Sequence, residues 1–343
     1  MIPQAEWKSF LENGSPDTWD ATARRASMLT LRHFGRAVSL FAPLYLSNYC
    51  DGGCLYCGFN RSRPLRRKRL SLSEMDREME ALSATGIRSV LLLTGESPAM
   101  TPAGYLLAAV ARARRCFVNV ALEVYPLEEE EYRRLVEAGV DGFTLFQETY
   151  DRTRYRELHP AGRKADYDYR YLAPERMARA GVRSITLGAL LGLADPSEDS
   201  HALFTHLESL QRRFPGVEYR LAFPRVIPVD DSTFDPVLVS DRTLVRLIVS
   251  ARVLFPRVGI TLSTREGAGF RDRALEIGVD RLSAGSRTDV GGYTQSHSAS
   301  GQFAIRDGRT PEEVVMMLKQ RGFDPVFSDW CPVGGVIAEG SQA

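Results

Sequence analysis

The sequence predicts an α/β protein built as a closed (β/α)8 barrel of the TIM type, with a helical extension before it and a short extension after it. Three observations carry this expectation. Eight short apolar runs follow one another along the 343 residues. Each is followed by an amphipathic stretch, or by a connector long enough for a helix, and such alternation is the pattern of a parallel sheet. Polar residues gather just past the ends of the runs, where a barrel assembles its active site. An open doubly wound sheet is the alternative, but eight units favour closure.

Residues 1–40 read as the helical extension, 41–310 as the barrel and 311–343 as a C-terminal helix and tail. The strand-like runs are APLYLS (42–47), SVLLLTG (89–95), VNVALEV (118–124) and GFTLFQE (142–148), then SITLGALLG (184–192), VEYRLAF (217–223), GITLSTR (259–265) and RLSAGS (281–286). A helix is expected from Ser71, where Ser71 and Glu74 form a capping box and Met75, Met79 and Leu82 share one face. Another begins at Asp241 and carries Leu244, Leu247, Ile248 and Leu254. A last one starts after Thr310, with Pro311 at the first helical position and Glu313 closing the box. The tail after Gly334 has no such pattern.

Composition narrows the function. With 44% hydrophobic and 25% charged residues the chain is an ordinary globular protein. Its net charge of +1 gives no bulk case for nucleic-acid binding. No apolar run approaches the ~18 residues of a membrane span. The start MIPQAEWKSF, with Glu6, Trp7 and Lys8, lacks the parts of a signal peptide. A cytoplasmic enzyme is the expectation.

Three of the five cysteines fall within eight residues, as Cys50-Asp-Gly-Gly-Cys54-Leu-Tyr-Cys57. A disulfide framework would be spread along a small secreted chain, so metal or redox chemistry is indicated. Three thiolates on a short loop can reach three corners of a cubane, and Gly52 and Gly53 let the backbone wrap closely round it. The fourth iron stays open to an exogenous ligand, which suits catalysis. Zinc is the alternative; it wants a fourth Cys or His nearby, and the nearest histidines are His33 before the motif and His159 after it. Cys116, in RRCFVNV, reads as a small buried hydrophobe.

The C-x3-C-x2-C loop resembles that of the radical S-adenosylmethionine (SAM) superfamily. The resemblance implies one [4Fe–4S] cluster on Cys50, Cys54 and Cys57, with SAM chelating the open iron and cleaved on reduction to methionine and a 5′-deoxyadenosyl radical. It also implies roles for other residues. Tyr56 stands at the aromatic position that contacts adenine. Thr94-Gly95-Glu96 matches the stretch that receives the SAM amino group. Glu148 matches the acid near the ribose hydroxyls, and Arg170 the base that pairs with the SAM carboxylate.

From about residue 35 to 331 the likeness sharpens. LYLSNYC, YCGFNRS, LLLTGE, LEVYPL, GFTLFQETY, LHPAG, LGALLGL, LSTRE, SAGSRTDVGGY and QFAIRD are similar to the aromatic amino acid lyases. That group includes the tyrosine lyases that make 2-iminoacetate and the [FeFe]-hydrogenase maturases. Both cut tyrosine between Cα and Cβ, giving p-cresol and dehydroglycine (2-iminoacetate), which in the thiamine pathway feeds thiazole synthesis. The maturases carry a second cluster on a C-terminal C-x2-C motif and a later cysteine. Here Ser328 stands at the first of those positions, and the 12 residues after Cys331 hold no cysteine. The resemblance therefore implies one cluster and the tyrosine lyase branch, although FQETY and LHPAG fit the maturases equally well. A tryptophan lyase, a deazaflavin-forming enzyme and a non-catalytic metal-binding scaffold are the rival readings.

A free amino acid in a barrel needs a cation for its carboxylate, and arginine offers two parallel donors. Arg265 is the first candidate, with Ser283 and Arg287 beside it; the competing reading is that Arg265 pairs with Glu266. The segment RSRPLRRKR (61–69) carries six positive charges and no acid. It reads as a solvated loop or as a docking patch for an acidic reductant, a flavodoxin or ferredoxin. Thiazole synthase is a further candidate partner.

Overall fold

The computed structural model describes residues 3–228, 234–295 and 301–328. Eight parallel strands close into a barrel: β1 (Ala37–Ser47), β2 (Ser89–Thr94), β3 (Asn119–Glu123), β4 (Gly142–Glu148), β5 (Ser184–Ala189), β6 (Glu218–Ala222), β7 (Gly259–Leu262) and β8 (Arg281–Ser283). Closure is made by β1, which pairs with β2 through Ala42–Ser47 and with β8 through Ser39–Phe41. A ninth strand, β9 (Asp324–Val326), adds parallel to Ala37–Ser39 at the start of β1.

Two helices precede the barrel, α1 (Gln4–Asn13) and α2 (Pro16–Phe34). The outer ring holds α3 (Leu72–Ser83), α4 (Ala103–Cys116), α5 (Glu129–Glu137), α6 (Arg152–Leu158), α7 (Tyr167–Tyr171), α8 (Ala173–Arg179), α9 (Pro196–Arg213), α10 (Asp241–Leu254) and α11 (Ala268–Ala274). α12 (Pro311–Gln320) leads into β9. The predicted signals hold: Ser71 with Glu74 caps α3 reciprocally, Thr310 with Glu313 does so for α12, and α10 starts at Asp241 behind the Ser240 cap. The extension is anchored rather than loose. Trp7 is buried, and its indole N–H donates to Ser197 O at 3.1 Å and Ser200 Oγ at 3.0 Å on α9.

The strands differ from the sequence reading at their ends. β1 begins at Ala37, five residues before the apolar run suggested, because β8 and β9 cover residues that the barrel alone would leave as an edge. β5, β7 and β8 stop at Ala189, Leu262 and Ser283, three residues short of the expected ends. Those residues turn into the mouth instead. The C-terminal extension contains β9 as well as the helix. Cys331 and the tail after Gly334 lie outside the described residues.

Side chains alternate in and out along a strand. The inward set is Phe41, Pro43 and Tyr45 on β1, Leu91 and Leu93 on β2, Ala121 and Glu123 on β3, and Thr144, Phe146 and Glu148 on β4. Together with residues from β5–β8 they line one central cavity, which reaches the residues that follow the strands' C-terminal ends.

Candidate functional site

The cysteine loop, 48–60, leaves β1 and is held from three sides. Asp51 N donates to Glu96 O at 2.9 Å, and Gly95 N donates to Ser47 O at 2.9 Å. These bonds fasten it to the turn after β2. On another side lies the β4–β5 connection, which carries α6, α7 and α8: Leu55 N donates to Leu158 O at 3.2 Å, and Gly53 faces Pro160 and Ala161. Underneath, the Arg67 guanidinium donates to the carbonyls of Asn48, Phe59 and Asn60 at 2.6–2.9 Å.

The loop fits a cluster bound by three thiolates. A Cβ placed on Gly52 would sit 3.3 Å from Cys50 Sγ and 3.5 Å from Cys54 Sγ, so the glycine keeps the space beside the two sulfurs clear. Phe59 N–H points at Cys57 Sγ, 3.4 Å away, a bond that favours a thiolate. Burial pushes all three free thiols up, and ligation by a cation is what would bring them down. A Cβ on Gly95 would lie 2.3 Å from Tyr49 O, so only glycine lets the two loops meet.

Beside the cysteines a buried charge network joins three predicted residues to one that the sequence did not signal. Arg170, on α7, donates to Glu96 Oε1 at 2.7 Å, to Phe146 O at 2.7 Å and to Glu148 Oε1 at 3.4 Å. Lys164 donates to Glu148 Oε1 at 2.6 Å and lies 3.4 Å from Glu96 Oε1. Burial works against ionised carboxyls, but the two cations outweigh it and hold Glu96 and Glu148 below the usual carboxylate range. Glu96 Oε2 and Thr94 Oγ1 are buried without a partner, an acceptor and a hydroxyl left for something the turn receives. Glu148 has φ 74°, the one positive value at a non-glycine among the described residues. It sits where the β4–β5 register shifts, and the bulge aims its carboxylate at Lys164 and Arg170.

Tyr56 is also fixed by a residue not foreseen. Its hydroxyl lies 2.8 Å from His159 Nε2, while His159 Nδ1 lies 2.7 Å from Tyr155 O. Burial holds His159 down at about 4, so its single proton belongs on Nδ1, facing the carbonyl, and Tyr56 donates to Nε2.

Further charged residues of the cavity lie at the ends of β7 and β3. Arg265 follows β7 and lines the cavity, its guanidinium 3.5 Å from the centre of the Phe303 ring. It does not pair with Glu266. Arg225 takes that carboxylate, with one bond of 2.9 Å and a second shorter one, and Arg265 has no ion pair among the described residues. Ser283 lines the cavity but accepts Thr264 N–H at 3.1 Å, so it shapes the loop that carries Arg265. Arg287 does not line the cavity; it lies beside Gly292 and Tyr293. The reason is that β8 ends at Ser283, so Arg287 is already on the outgoing turn. Glu123, the last residue of β3, lines the cavity with no hydrogen bond or ion pair to its carboxylate among the described residues. Burial, with the Glu148 carboxylate next in weight, raises it to about 7. Lys164 and His159 were illegible as site residues because each is a lone residue in a connection, and only LHPAG hinted at one of them; Glu123 was legible as a polar strand end facing the barrel mouth, but without a role.

The basic segment is less of a patch than its sequence suggests. Arg67 holds the cysteine loop, Lys68 pairs with Glu74 at 3.4 Å, and Arg69 donates to Met100 O and lies over the Tyr105 ring. Arg61 and Arg66 are exposed.

Comparison with known proteins agrees with this geometry. Residues 44–204 match the Radical SAM superfamily model, and residues 222–324 match the Biotin and Thiamin Synthesis associated domain. The chain is 39% identical to 2-iminoacetate synthase of Escherichia coli, over 96% of this chain and 88% of that protein. It is 36% identical to the Salmonella typhimurium 2-iminoacetate synthase, over 94% and 86%. The crystal structure of HydG, a maturase of the [FeFe]-hydrogenase, superposes with a TM-score of 0.90 at 32% identity, covering 96% of this chain and 73% of that one. Methylornithine synthase shares the fold, with a TM-score of 0.77 at 20% identity. With its cysteine loop, its barrel and its identity to these relatives along nearly the whole length, the chain belongs to the radical SAM aromatic amino acid lyase family, on the branch of the 2-iminoacetate synthases.

Proposed function

We propose that this chain is a tyrosine lyase. It cleaves the Cα–Cβ bond of free L-tyrosine to 2-iminoacetate and p-cresol, with SAM converted to methionine and 5′-deoxyadenosine, and its product serves thiazole formation in thiamine biosynthesis. The observation that carries this reading is one cavity, which has Tyr56, Cys57 and Glu148 on its wall together with the unpaired guanidinium of Arg265. A place for a cofactor and a place for a carboxylate thus share one chamber, in a chain that is 39% identical to a 2-iminoacetate synthase.

Cys50, Cys54 and Cys57 would hold the [4Fe–4S] cluster, and Gly95, Glu96, Glu148 and Arg170 would receive SAM, with Tyr56 at the adenine. Bound together, cluster and SAM supply the 5′-deoxyadenosyl radical that starts the reaction. The chain's own contribution is placement. Glu96 offers its unpartnered Oε2 to an ammonium. His159 keeps the Tyr56 ring from turning. Arg265, resting on Phe303, presents a planar two-pronged cation to the substrate carboxylate. The walls, among them Phe41, Leu91, Leu93 and Phe146, are apolar and exclude water from the reacting groups. Binding energy at the carboxylate end then decides which substrate hydrogen lies within reach.

Ser328, at the position of a maturase cysteine, supports a single cluster. Low-potential electrons would come from a flavodoxin or ferredoxin meeting the exposed Arg61 and Arg66 beside the cysteine loop; Arg61 N donates to Gly52 O at 2.9 Å. No helix of the described residues is long and apolar enough to cross a membrane, and a cytoplasmic site of action fits the reading.

The test is anaerobic reconstitution with iron and sulfide, then dithionite, SAM and tyrosine. p-Cresol, 5′-deoxyadenosine, and the glyoxylate and ammonia formed when 2-iminoacetate meets water are expected, without carbon monoxide or cyanide. Stoichiometric carbon monoxide would overturn the thiamine branch. 3-Methylindolic acid from tryptophan, with no p-cresol from tyrosine, would make the chain a tryptophan lyase.

A further inference from the structure

Two charged groups of opposite sign share the cavity, and neither forms an ion pair or a side-chain hydrogen bond with the other or with any described neighbour; Arg265 rests only on the Phe303 ring. Glu123 ends β3 and Arg265 follows β7. In a closed eight-stranded barrel these strands are four apart whichever way one counts, so the two side chains reach inward from opposite walls. An eight-stranded barrel is narrow enough for side chains to fill it. The two groups feel each other electrostatically, yet no ion pair within 4.0 Å joins them. Both lie in an apolar chamber, where leaving an acid and a base unpaired is costly. What completes such a pair is a ligand with its own cation and anion one carbon apart.

We propose that Glu123 binds the α-ammonium of the substrate, so that Glu123 and Arg265 together clamp the zwitterionic end of a free amino acid across the barrel. This rests on the amino acid lyase reading and adds to it the residue that distinguishes an amino acid from a plain carboxylic acid. Other acids of the cavity do not compete for this role. Glu148 is held by Lys164 and Arg170, and Glu266 by Arg225. The Tyr45 hydroxyl is likewise spoken for, donating to Gln302 Oε1 at 2.6 Å. Burial and the nearby Glu148 keep Glu123 at about 7, so an arriving ammonium finds a carboxyl that ionises readily to meet it.

The experiment uses reconstituted enzyme, wild type and Glu123→Gln, and measures binding of three ligands by equilibrium dialysis. Tyrosine carries both charges, tyramine lacks the carboxylate, and 3-(4-hydroxyphenyl)propanoate lacks the amine. Glu123→Gln should weaken tyrosine and tyramine by roughly tenfold or more, the scale of a lost charged hydrogen bond, and leave 3-(4-hydroxyphenyl)propanoate within about twofold. Retained binding of that acid also shows that the variant is folded. Equal weakening of all three ligands, or none of any, overturns the clamp. If wild type ignores tyrosine but binds tryptophan over indole-3-propanoate in a Glu123-dependent way, the tyrosine reading falls and the clamp stands. If it binds no amino acid at all, both fall.

Discussion

At the ends of β2 and β4 four charged side chains answer one another; across the barrel from β3 to β7 two do not. The first group, Glu96, Glu148, Lys164 and Arg170, is buried and joined by contacts of 2.6–3.4 Å. It is built before anything binds. The second, Glu123 and Arg265, is held apart by the barrel itself. A prebuilt network keeps a cofactor site in one geometry through every turnover, whereas an unfinished pair is completed only by the right substrate. The contrast assigns different jobs to two parts of one cavity, and each assignment can be broken separately.

The largest expected effect lies at the cluster loop. Cys54→Ala should lose the bound iron, about four atoms per chain in the wild type, and all SAM cleavage, because three thiolates are the minimum support for such a cluster. Cys331→Ala should keep both; loss of half the iron there would mean a second cluster. Iron and sulfide assays with 5′-deoxyadenosine analysis check this. Next comes the network. Arg170→Met leaves two carboxylates facing Lys164 alone and should destabilise the fold by about 3–5 kcal/mol, as breaking a buried pair does. Denaturant unfolding of wild type and variant measures it; a change within 1 kcal/mol would mean that the network is not a prebuilt unit.

How far the sequence foretold these two groups differs for a physical reason. Cys50, Cys54, Cys57, Tyr56 and Thr94-Gly95-Glu96 lie in two short loops, so their spacing alone carries meaning. The eight strands were legible for the same reason, since alternation is local. Glu123, Arg265 and Phe303 come from three distant elements and share one cavity only because the sheet closes; no spacing records that. His159 and Lys164 lie in the β4–β5 connection, whose path over the cysteine loop depends on contacts such as Leu55 N to Leu158 O. Strand ends were overread because residues such as Leu190 and Leu191 continue past the end of β5 at Ala189 to line the mouth and pack beneath it. Arg287 was read as a neighbour of Arg265 because both follow strands, but β8 ends too early to aim it inward.

A smaller effect should appear as a pH dependence. Glu123 titrates near 7 in the folded chain against about 4.5 for an ordinary glutamate, so ionising it costs stability. The stability linked to its protonated form is fully present below pH ~4.5 and is lost as pH rises through ~7. Glu123→Gln should therefore unfold like wild type in acid but be more stable above neutrality, by on the order of 3 kcal/mol. Urea titrations at pH 5 and pH 8 check the sign, and equal midpoints at both would show that Glu123 is solvated and not poised for a cation. The smallest effect is at the surface. Reversing Arg61 and Arg66 to Glu should slow reduction by flavodoxin a few-fold at low salt, leave dithionite-driven turnover unchanged, and lose its effect as ionic strength rises.

The division of labour inside the cavity is tested most directly by Arg265→Lys, assayed for p-cresol and 5′-deoxyadenosine in the same reaction with tyrosine, SAM and dithionite. Lysine keeps the charge and loses the two-pronged geometry. p-Cresol should fall by on the order of ten- to a hundredfold while SAM cleavage continues, so that 5′-deoxyadenosine accumulates without its partner product. If the two products fall together, and SAM cleavage without tyrosine falls equally, Arg265 serves the cofactor and the two groups of charges are one site.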